Sequence, residues 1–420
     1  MDSSLQKTID TIARNGRKAA LELADASPKK INACIRFMAK LLDTQRSALK
    51  RANKKDCDAA ARKNLSPAML ERLTLSDKTF ASMMKGLLEV TKLPCPVGAA
   101  YDERLRPNGL KIYKIKTPIG VIGIIYESRP NVTIDAAALC LKAHNAVILR
   151  GGSEAFNTNI ALARLFSRAL AHASLPKNSI QIIPTVDRVA IDLLLKKNDD
   201  VDLIIPRGGE SLIRTVVEKS TIPVIKHYKG ICHVYVSRHA DMDKAIPIVV
   251  NAKVQRPSVC NAMETLILDE RLGRTKITAV INALQNSGVV VHGDPATKKF
   301  FPEVQRATID DWYAEYLDLR LAVRIVKGID IAIEHINTYG SHHTDAIVTE
   351  LRSEANVFLR RVDSSSVMIN ASTRFSDGGE YGLGCEIGIS TDKLHARGPM
   401  GVDELTSYKW IVEGNGQVRT

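Results

Sequence analysis

The segment NAKVQRPSVCNAMETLIL (251–268) carries the residue best suited to covalent chemistry. Cys260 lies in a short polar break among Gln255, Arg256, Pro257, Ser258 and Asn261, with Lys253 a little further away. Nearby cations lower a thiol pKa and populate the thiolate, which is the nucleophile. Most cysteines are small buried hydrophobes, but Cys260 alone of the seven is set in such a loop. Pro257 predicts a helix stop just before it, and ETLILD (264–269) predicts a strand just after it.

Two further segments have the form of phosphate cradles. VDLIIPRGGESLIRTVV (201–217) reads as a strand, then Gly208 and Gly209, then a helix. Glycines admit close backbone approach, and a helix start offers free N–H groups and a positive dipole end. AVILRGGSEAFNTNIALARLF (146–166) repeats the arrangement, with Arg150, Gly151, Gly152 and a helix cap near Ser153. Such turns are also the ordinary way to build a short strand-to-helix connection, and neither fits G-x-G-x-x-G. GLGCEIG (382–388) has the wrong spacing and no strand before it. The histidines suggest no metal site. His342 and His343 are adjacent, His227 and His233 lack a second ligand pair, and Asp392 with His395 lacks a G-x-S-x-G elbow.

Elements of an α/β protein must position these residues. Residues 1 to about 95 carry apolar positions at three- and four-residue intervals and predict helices, one of them capped by Ser76 or Asp77. Leu110 to Ile125 predicts extended chain, and its Pro and Gly residues suggest an edge strand or arm. Beyond 130, β-branched runs at 146–150, 180–184, 201–206, 223–227, 232–237, 264–269, 288–293, 321–326, 345–350 and 365–370 alternate with amphipathic stretches. This alternation predicts mainly parallel sheets.

The chain has 420 residues and ordinary apolar and charged fractions of 45% and 25%, which exclude disorder or a fibrous repeat. Seven cysteines without a CxxC argue against a disulfide framework and for a reducing compartment. Lys and Arg exceed Asp and Glu by 59 to 46, a net +13 that favours anionic partners of any size. The excess is spread out and aromatics are only 5%, so nucleic-acid binding is not expected. The N-terminus lacks an apolar signal region, and the apolar stretch Pro118 to Ile125 is too short for a bilayer. The expected location is cytoplasmic, with no membrane partner.

The runs VIGIIYESRPNVTIDAAALCLKAHNAVILRGGSEAFNTN, IPRGGESLIRTVVEKSTIPVIKHYKGICHVYV, NAKVQRPSVCNAMETLIL, EYLDLRLAVRIV and SSSVMINASTRFSDGGEYGLGCEIGISTDKLHARGPMG occur in an order that resembles the aldehyde dehydrogenase superfamily. The likeness is to its glutamyl-phosphate-reducing members and runs from about residue 115 to the C-terminus. It implies two Rossmann-like α/β domains and an oligomerisation arm. A cofactor-binding domain would comprise 1–100 and 120–238, a catalytic domain 239–395, and the oligomerisation part 101–119 and 396–420.

The implied activity is NADPH-dependent reduction of L-glutamyl 5-phosphate to the 5-semialdehyde through a cysteine thioester, the second step of proline biosynthesis from glutamate. Another dehydrogenase of the same fold with a different substrate is the alternative. By resemblance Cys260 is the nucleophile and Asn131 the oxyanion-hole amide. Gly208 and Gly209 fall at the pyrophosphate contact, Glu315 at the nicotinamide ribose, and Arg150 with Ser153 at the adenosine ribose, where a 2′-phosphate would select NADPH. Glu154 nearby could instead hold a free 2′-hydroxyl.

Lys226 stands where hydrolytic relatives place a Glu base, a departure that suits an enzyme whose thioester must not meet activated water. With Arg256 it would attract the substrate phosphate, and Asn370, Ser372 and Thr373 would line the amino-acid end. A homo-oligomer is implied, and association with glutamate 5-kinase, the source of the labile acyl phosphate, is compatible with it.

Overall fold

The computed structural model describes residues 3–63, 65, 67–127 and 129–419. The chain forms two compact units, Met1–Lys226 with Gly382–Gly388 and Met400–Thr420, and His227–Tyr381 with Ile389–Pro399.

The first unit opens with the helices Ser3–Ala24, Pro28–Thr44, Arg46–Arg62, Pro67–Leu73 and Asp77–Lys92. In Pro28–Thr44 the buried set Ile31, Cys34, Ile35, Met38 and Leu42 makes the apolar stripe that the spacing predicts. The Ser76 hydroxyl accepts from the Thr79 N–H and caps the last of the five. A parallel sheet follows in the order Ile180–Ile182, Ala146–Gly151, Val121–Tyr126, Leu203–Arg207.

Val121–Tyr126 is therefore an internal strand, buried along its whole length, and the first half of 110–125 is no edge either: Lys111–Pro118 is the middle strand of a separate three-stranded arm, so the arm reading holds and the edge reading does not. The chain divides at Pro118–Gly120, where Gly120 has φ +129°, into an arm strand and a core strand. Gly123 is what lets the core strand close on its neighbour, since a Cβ there would stand 2.5 Å from Ile204 Cδ1. Asp202 fixes the same region by accepting from the Val121 N–H at 2.7 Å and from Arg17 at 2.8 Å. The run 223–227 forms no strand. It makes one bridge at Val224, around Ile204, and then leaves the sheet.

Ala100–Leu105, Lys111–Pro118 and Thr406–Glu413 form a separate antiparallel sheet. Lys114 Nζ lies 4.7 Å and 4.6 Å from the ring centroids of Tyr408 and Trp410 on its exposed face.

The second unit is built on a seven-stranded parallel sheet in the order Gln305–Arg306, Val290–Gly293, Arg320–Val326, Met263–Asp269, Cys232–Val236, Thr344–Val348, Ser366–Ile369. Cys232–Val236 thus belongs to this unit's sheet, ahead of the boundary at residue 239. Period-two alternation divides its core. Val234, Leu266, Leu268 and Val348 pack with the helices Met242–Val254 and Gly273–Asn286. Tyr235, Ile267 and Ile347 pack with Ile329–Tyr339 and Arg352–Arg361. Burial of both faces explains why these strands read as continuous apolar runs. Among the described residues, no helix is long and apolar enough to cross a membrane.

Candidate active site

The helix Met242–Val254 ends three residues before Pro257, and the strand Met263–Asp269 begins three after Cys260. Cys260 sits half-buried in the intervening turn. Its backbone is clamped from behind. Gly230 packs so closely that any Cβ there would overlap the Cys260 carbonyl, and the buried Cys232 thiol donates to that carbonyl at 3.2 Å. The Gly230 N–H donates to Glu315 Oε1 at 2.9 Å. Gly230 therefore ties the Glu315 carboxylate and the cysteine turn into one rigid piece of the second unit.

The cations around the turn differ from the expected set. Lys253 does not serve the thiol. It is fully buried and donates to the equally buried Glu264 at 2.6 Å. Burial raises the Glu264 carboxyl and lowers the Lys253 ammonium from their ordinary values. Arg256 is exposed as expected. Arg374, which sequence reasoning missed, joins it. Its Nε donates to Gln255 Oε1 at 2.9 Å. Burial, then repulsion from Arg256, hold its guanidinium below the usual arginine range, while the Cys260 sulfur is among the groups that oppose the shift. The only cue in the sequence is a lone arginine among small polar residues in STRFSDGG.

Of the three residues expected at the amino-acid end, Ser372 uses its hydroxyl to cap the turn Thr373–Phe375, accepting from the Arg374 N–H. Thr373 Oγ1 is buried and has no hydrogen-bond partner among the described residues. The Asn370 amide is committed to the Thr349 backbone, accepting from its N–H at 2.9 Å and donating to its carbonyl at 3.0 Å. Asn370 therefore holds the loop at Thr349.

In the first unit, Asn131 lies in the opening turn of the helix Pro130–Lys142, half-buried, and donates through Nδ2 to Asp135 Oδ2 at 3.3 Å. One amide proton remains for another acceptor. Burial pushes the Asp135 carboxyl up to about 6, against the Asn131 bond and the Arg207 charge. The folded chain then holds this proton more tightly than the unfolded chain does. The resulting stabilisation is complete below pH 3.8 and is lost as pH rises through 6. Asp135→Asn is expected to remove that decline, worth about 2 kcal/mol between pH 4.5 and 7. Urea unfolding of both proteins at pH 4.5 and 7 checks it, and equal pH slopes would show that Asp135 does not titrate there.

The two strand–Gly-Gly–helix turns behave differently. The Gly209 N–H, at the start of the helix Glu210–Lys219, donates to Glu127 Oε2 at 2.9 Å. A Cβ on Gly208 would meet Glu127 Cδ at 2.6 Å. This helix start thus accepts an anionic oxygen, here that of the exposed Glu127 side chain, which solvent or a ligand could replace. The helix Phe156–His172 offers no such place. The buried Asp56 carboxylate takes the N–H groups of Asn157 at 3.1 Å and Thr158 at 2.7 Å, and no cap forms at Ser153. Arg150 is buried and donates to the carbonyls of Gly151 at 2.8 Å and Val186 at 2.9 Å. Ser153 donates to Glu154 at 3.2 Å. Lys226 is half-buried at the end of the first unit.

The aldehyde dehydrogenase family model matches residues 1–311. A gamma-glutamyl phosphate reductase from Moorella thermoacetica is 51% identical over 98% of this chain and 98% of its own length. One from Geobacter metallireducens is 51% identical over 99% of this chain and 100% of its own. The crystal structure of gamma-glutamyl phosphate reductase from Thermotoga maritima superimposes with a TM-score of 0.96 at 41% identity, covering 98% of this chain and 100% of that one. An acetylating aldehyde dehydrogenase from Geobacillus thermoglucosidasius, 17% identical with a TM-score of 0.72, shares the fold over the full length of both chains. With its parallel sheets, its cysteine turn and this full-length likeness, the chain belongs to the aldehyde dehydrogenase family.

Proposed function

We propose that this oxidoreductase reduces L-glutamyl 5-phosphate to L-glutamate 5-semialdehyde, releasing phosphate, in the second step of proline biosynthesis. The observation that carries the reading is the half-exposed Cys260 on a rigid turn flanked by Arg256 and Arg374, in a chain half identical to gamma-glutamyl phosphate reductases over its whole length.

Cys260 Sγ, as thiolate, attacks the acyl carbon. The Asn131 amide and the Cys260 backbone N–H hold the oxyanion. The C–O bond to phosphate breaks, the bond pair leaves with the phosphate, and a thioester remains on Cys260. A reduced nicotinamide, when bound, supplies the hydride that takes the thioester to the aldehyde level. The carbon–sulfur bond then breaks and the thiolate returns.

Gly208 and Gly209 accommodate the pyrophosphate, with Glu127 giving up the Gly209 N–H, and Glu315 receives the nicotinamide ribose. NADPH is the preferred form in this reading. Arg150 braces the adenosine end, Ser153 is exposed beside it, and Arg188 adds an exposed cation within charge range of Arg150. Lys226, in place of a carboxylate base, leaves water unactivated and favours the anionic substrate. Regions 1–100 and 120–238 would bind cofactor, 239–395 catalyse, and 101–119 with 396–420 oligomerise. Exposed Tyr408, Trp410 and Val412 support homo-oligomerisation through that last part. Association with glutamate 5-kinase and a cytoplasmic location belong to the same reading.

The test is the reverse reaction followed at 340 nm. Glutamate semialdehyde should reduce NADP⁺ faster than NAD⁺, and only when phosphate or arsenate is present. Phosphate-independent turnover with simple aldehydes would instead indicate another dehydrogenase of this fold. Asn131→Ala should lower kcat by about a hundredfold or more, the usual loss for one oxyanion donor. A near-normal rate in that variant would remove Asn131 from the oxyanion hole.

A further inference from the structure

Arg374 is placed with unusual care for a loop arginine. The residue after the nucleophile, Asn261, is buried and donates its amide to the carbonyls of Ser376 at 2.8 Å and Arg374 at 3.4 Å. The Ser372 hydroxyl accepts from the Arg374 N–H. Gln255, next to Arg256, receives Arg374 Nε. Asn261, on one side of the nucleophile, thus holds the Arg374 backbone, and Gln255, on the other, holds its guanidinium. Nε–H makes the only side-chain hydrogen bond of Arg374 among the described residues, so its two terminal nitrogens are left to donate.

Two guanidinium groups, Arg256 and Arg374, are thus held close enough to repel, with Asp377 as a partial counterweight. Like charges kept together beside a reacting sulfur are costly unless an anion bridges them. The adjacent Thr373 hydroxyl is buried and has no hydrogen-bond partner among the described residues.

We infer that Arg374, with Arg256, binds the phosphate group of the acyl-phosphate substrate and holds it as it departs. This rests on the acyl-phosphate reading above and deepens it. A planar guanidinium with two outer N–H edges suits a phosphate dianion, and charge-assisted bonds strengthen as the leaving oxygen gains charge. The bond made in that step is Sγ to carbon and the bond broken is carbon to the phosphate oxygen. Arg374 gives up no proton.

The experiment is the reverse reaction with Arg374→Gln and Arg374→Lys, varying phosphate and semialdehyde separately. Arg374→Gln should raise KM for phosphate about tenfold or more, with KM for semialdehyde moving less than about threefold, and Arg374→Lys should recover part of the loss. A rise confined to the semialdehyde KM would place Arg374 on the substrate carboxylate and overturn the inference, as would no change in either.

Should the Gln variant fail to fold, the wild-type protein still decides. Phosphate should slow phenylglyoxal modification of Arg374, read by peptide mass spectrometry, and equal labelling with and without phosphate would refute the assignment. A wild-type enzyme whose turnover ignores phosphate altogether would refute the acyl-phosphate reading itself, which separates the two failures.

Discussion

Cys260→Ala should abolish reduction of the acyl phosphate, by about five orders of magnitude or to the detection limit, because the proposed route carries the acyl group on this sulfur. The nearest sulfur, Cys232, is fully buried, its thiol is raised well above the usual range by burial, and its proton is engaged with the Cys260 carbonyl. Cys34, Cys140 and Cys385 are likewise held protonated by burial, Cys34 and Cys385 at about 12. Cys260→Ser should fail almost as completely, since an alcohol beside arginines is still far from ionised at neutral pH.

The measurement is NADPH oxidation with the coupled kinase supplying substrate, together with fluorescence titration of NADPH. The dinucleotide should still bind, because the Gly208–Gly209 cradle and Glu127 lie in the other compact unit. Loss of binding along with turnover would make Cys260 a structural residue. Residual activity in the alanine variant would rule out a covalent route through this sulfur.

How far the sequence could be read follows from which interactions are local. The helix stop at Pro257, the strand after Cys260 and the stripes of 1–95 depend on neighbours three or four residues away, and each is where the pattern predicts it. Gly120 and Pro118 were visible too. Whether they interrupt one strand or separate two depends on where Val121 finds a partner, and Asp202 supplies that partner from far along the chain. The two glycine turns look alike in sequence. They differ because Asp56, on a distant helix, fills one helix start, while Glu127 rests on the other.

Lys253 and Arg374 trade roles for the same reason. The lysine close to Cys260 in sequence finds a buried carboxylate, and the distant arginine is pinned beside the thiol by Asn261 and Gln255. Long-range pairing of charges leaves no periodicity to read. The resemblance to a family supplied roles for single residues that spacing alone did not carry, Asn131 and Glu315 above all.

The buried pair Lys253–Glu264 should be the most sensitive structural point of the second unit. Both side chains are fully enclosed, so Glu264→Gln leaves an ammonium without its counter-charge, and Lys253→Met leaves a carboxylate. Each is expected to cost about 3–5 kcal/mol. The double variant Lys253→Met with Glu264→Leu removes both charges and keeps the volume. It should regain most of that loss, because desolvating an ion pair offsets most of its attraction.

The effect should reach the chemistry through geometry. Glu264 also accepts from the Leu317 N–H at 3.3 Å, two residues from Glu315, and it is the second residue of the strand that leaves the cysteine turn. The single variants should therefore weaken dinucleotide binding as well as lower stability, whereas the double variant should recover stability more fully than binding. Urea denaturation with a double-mutant cycle, alongside NADPH titration of each folded variant, measures both. Simple additivity of the two single losses would mean that the charges do not sense one another. Unaltered binding in a destabilised single variant would detach the pair from the position of Glu315.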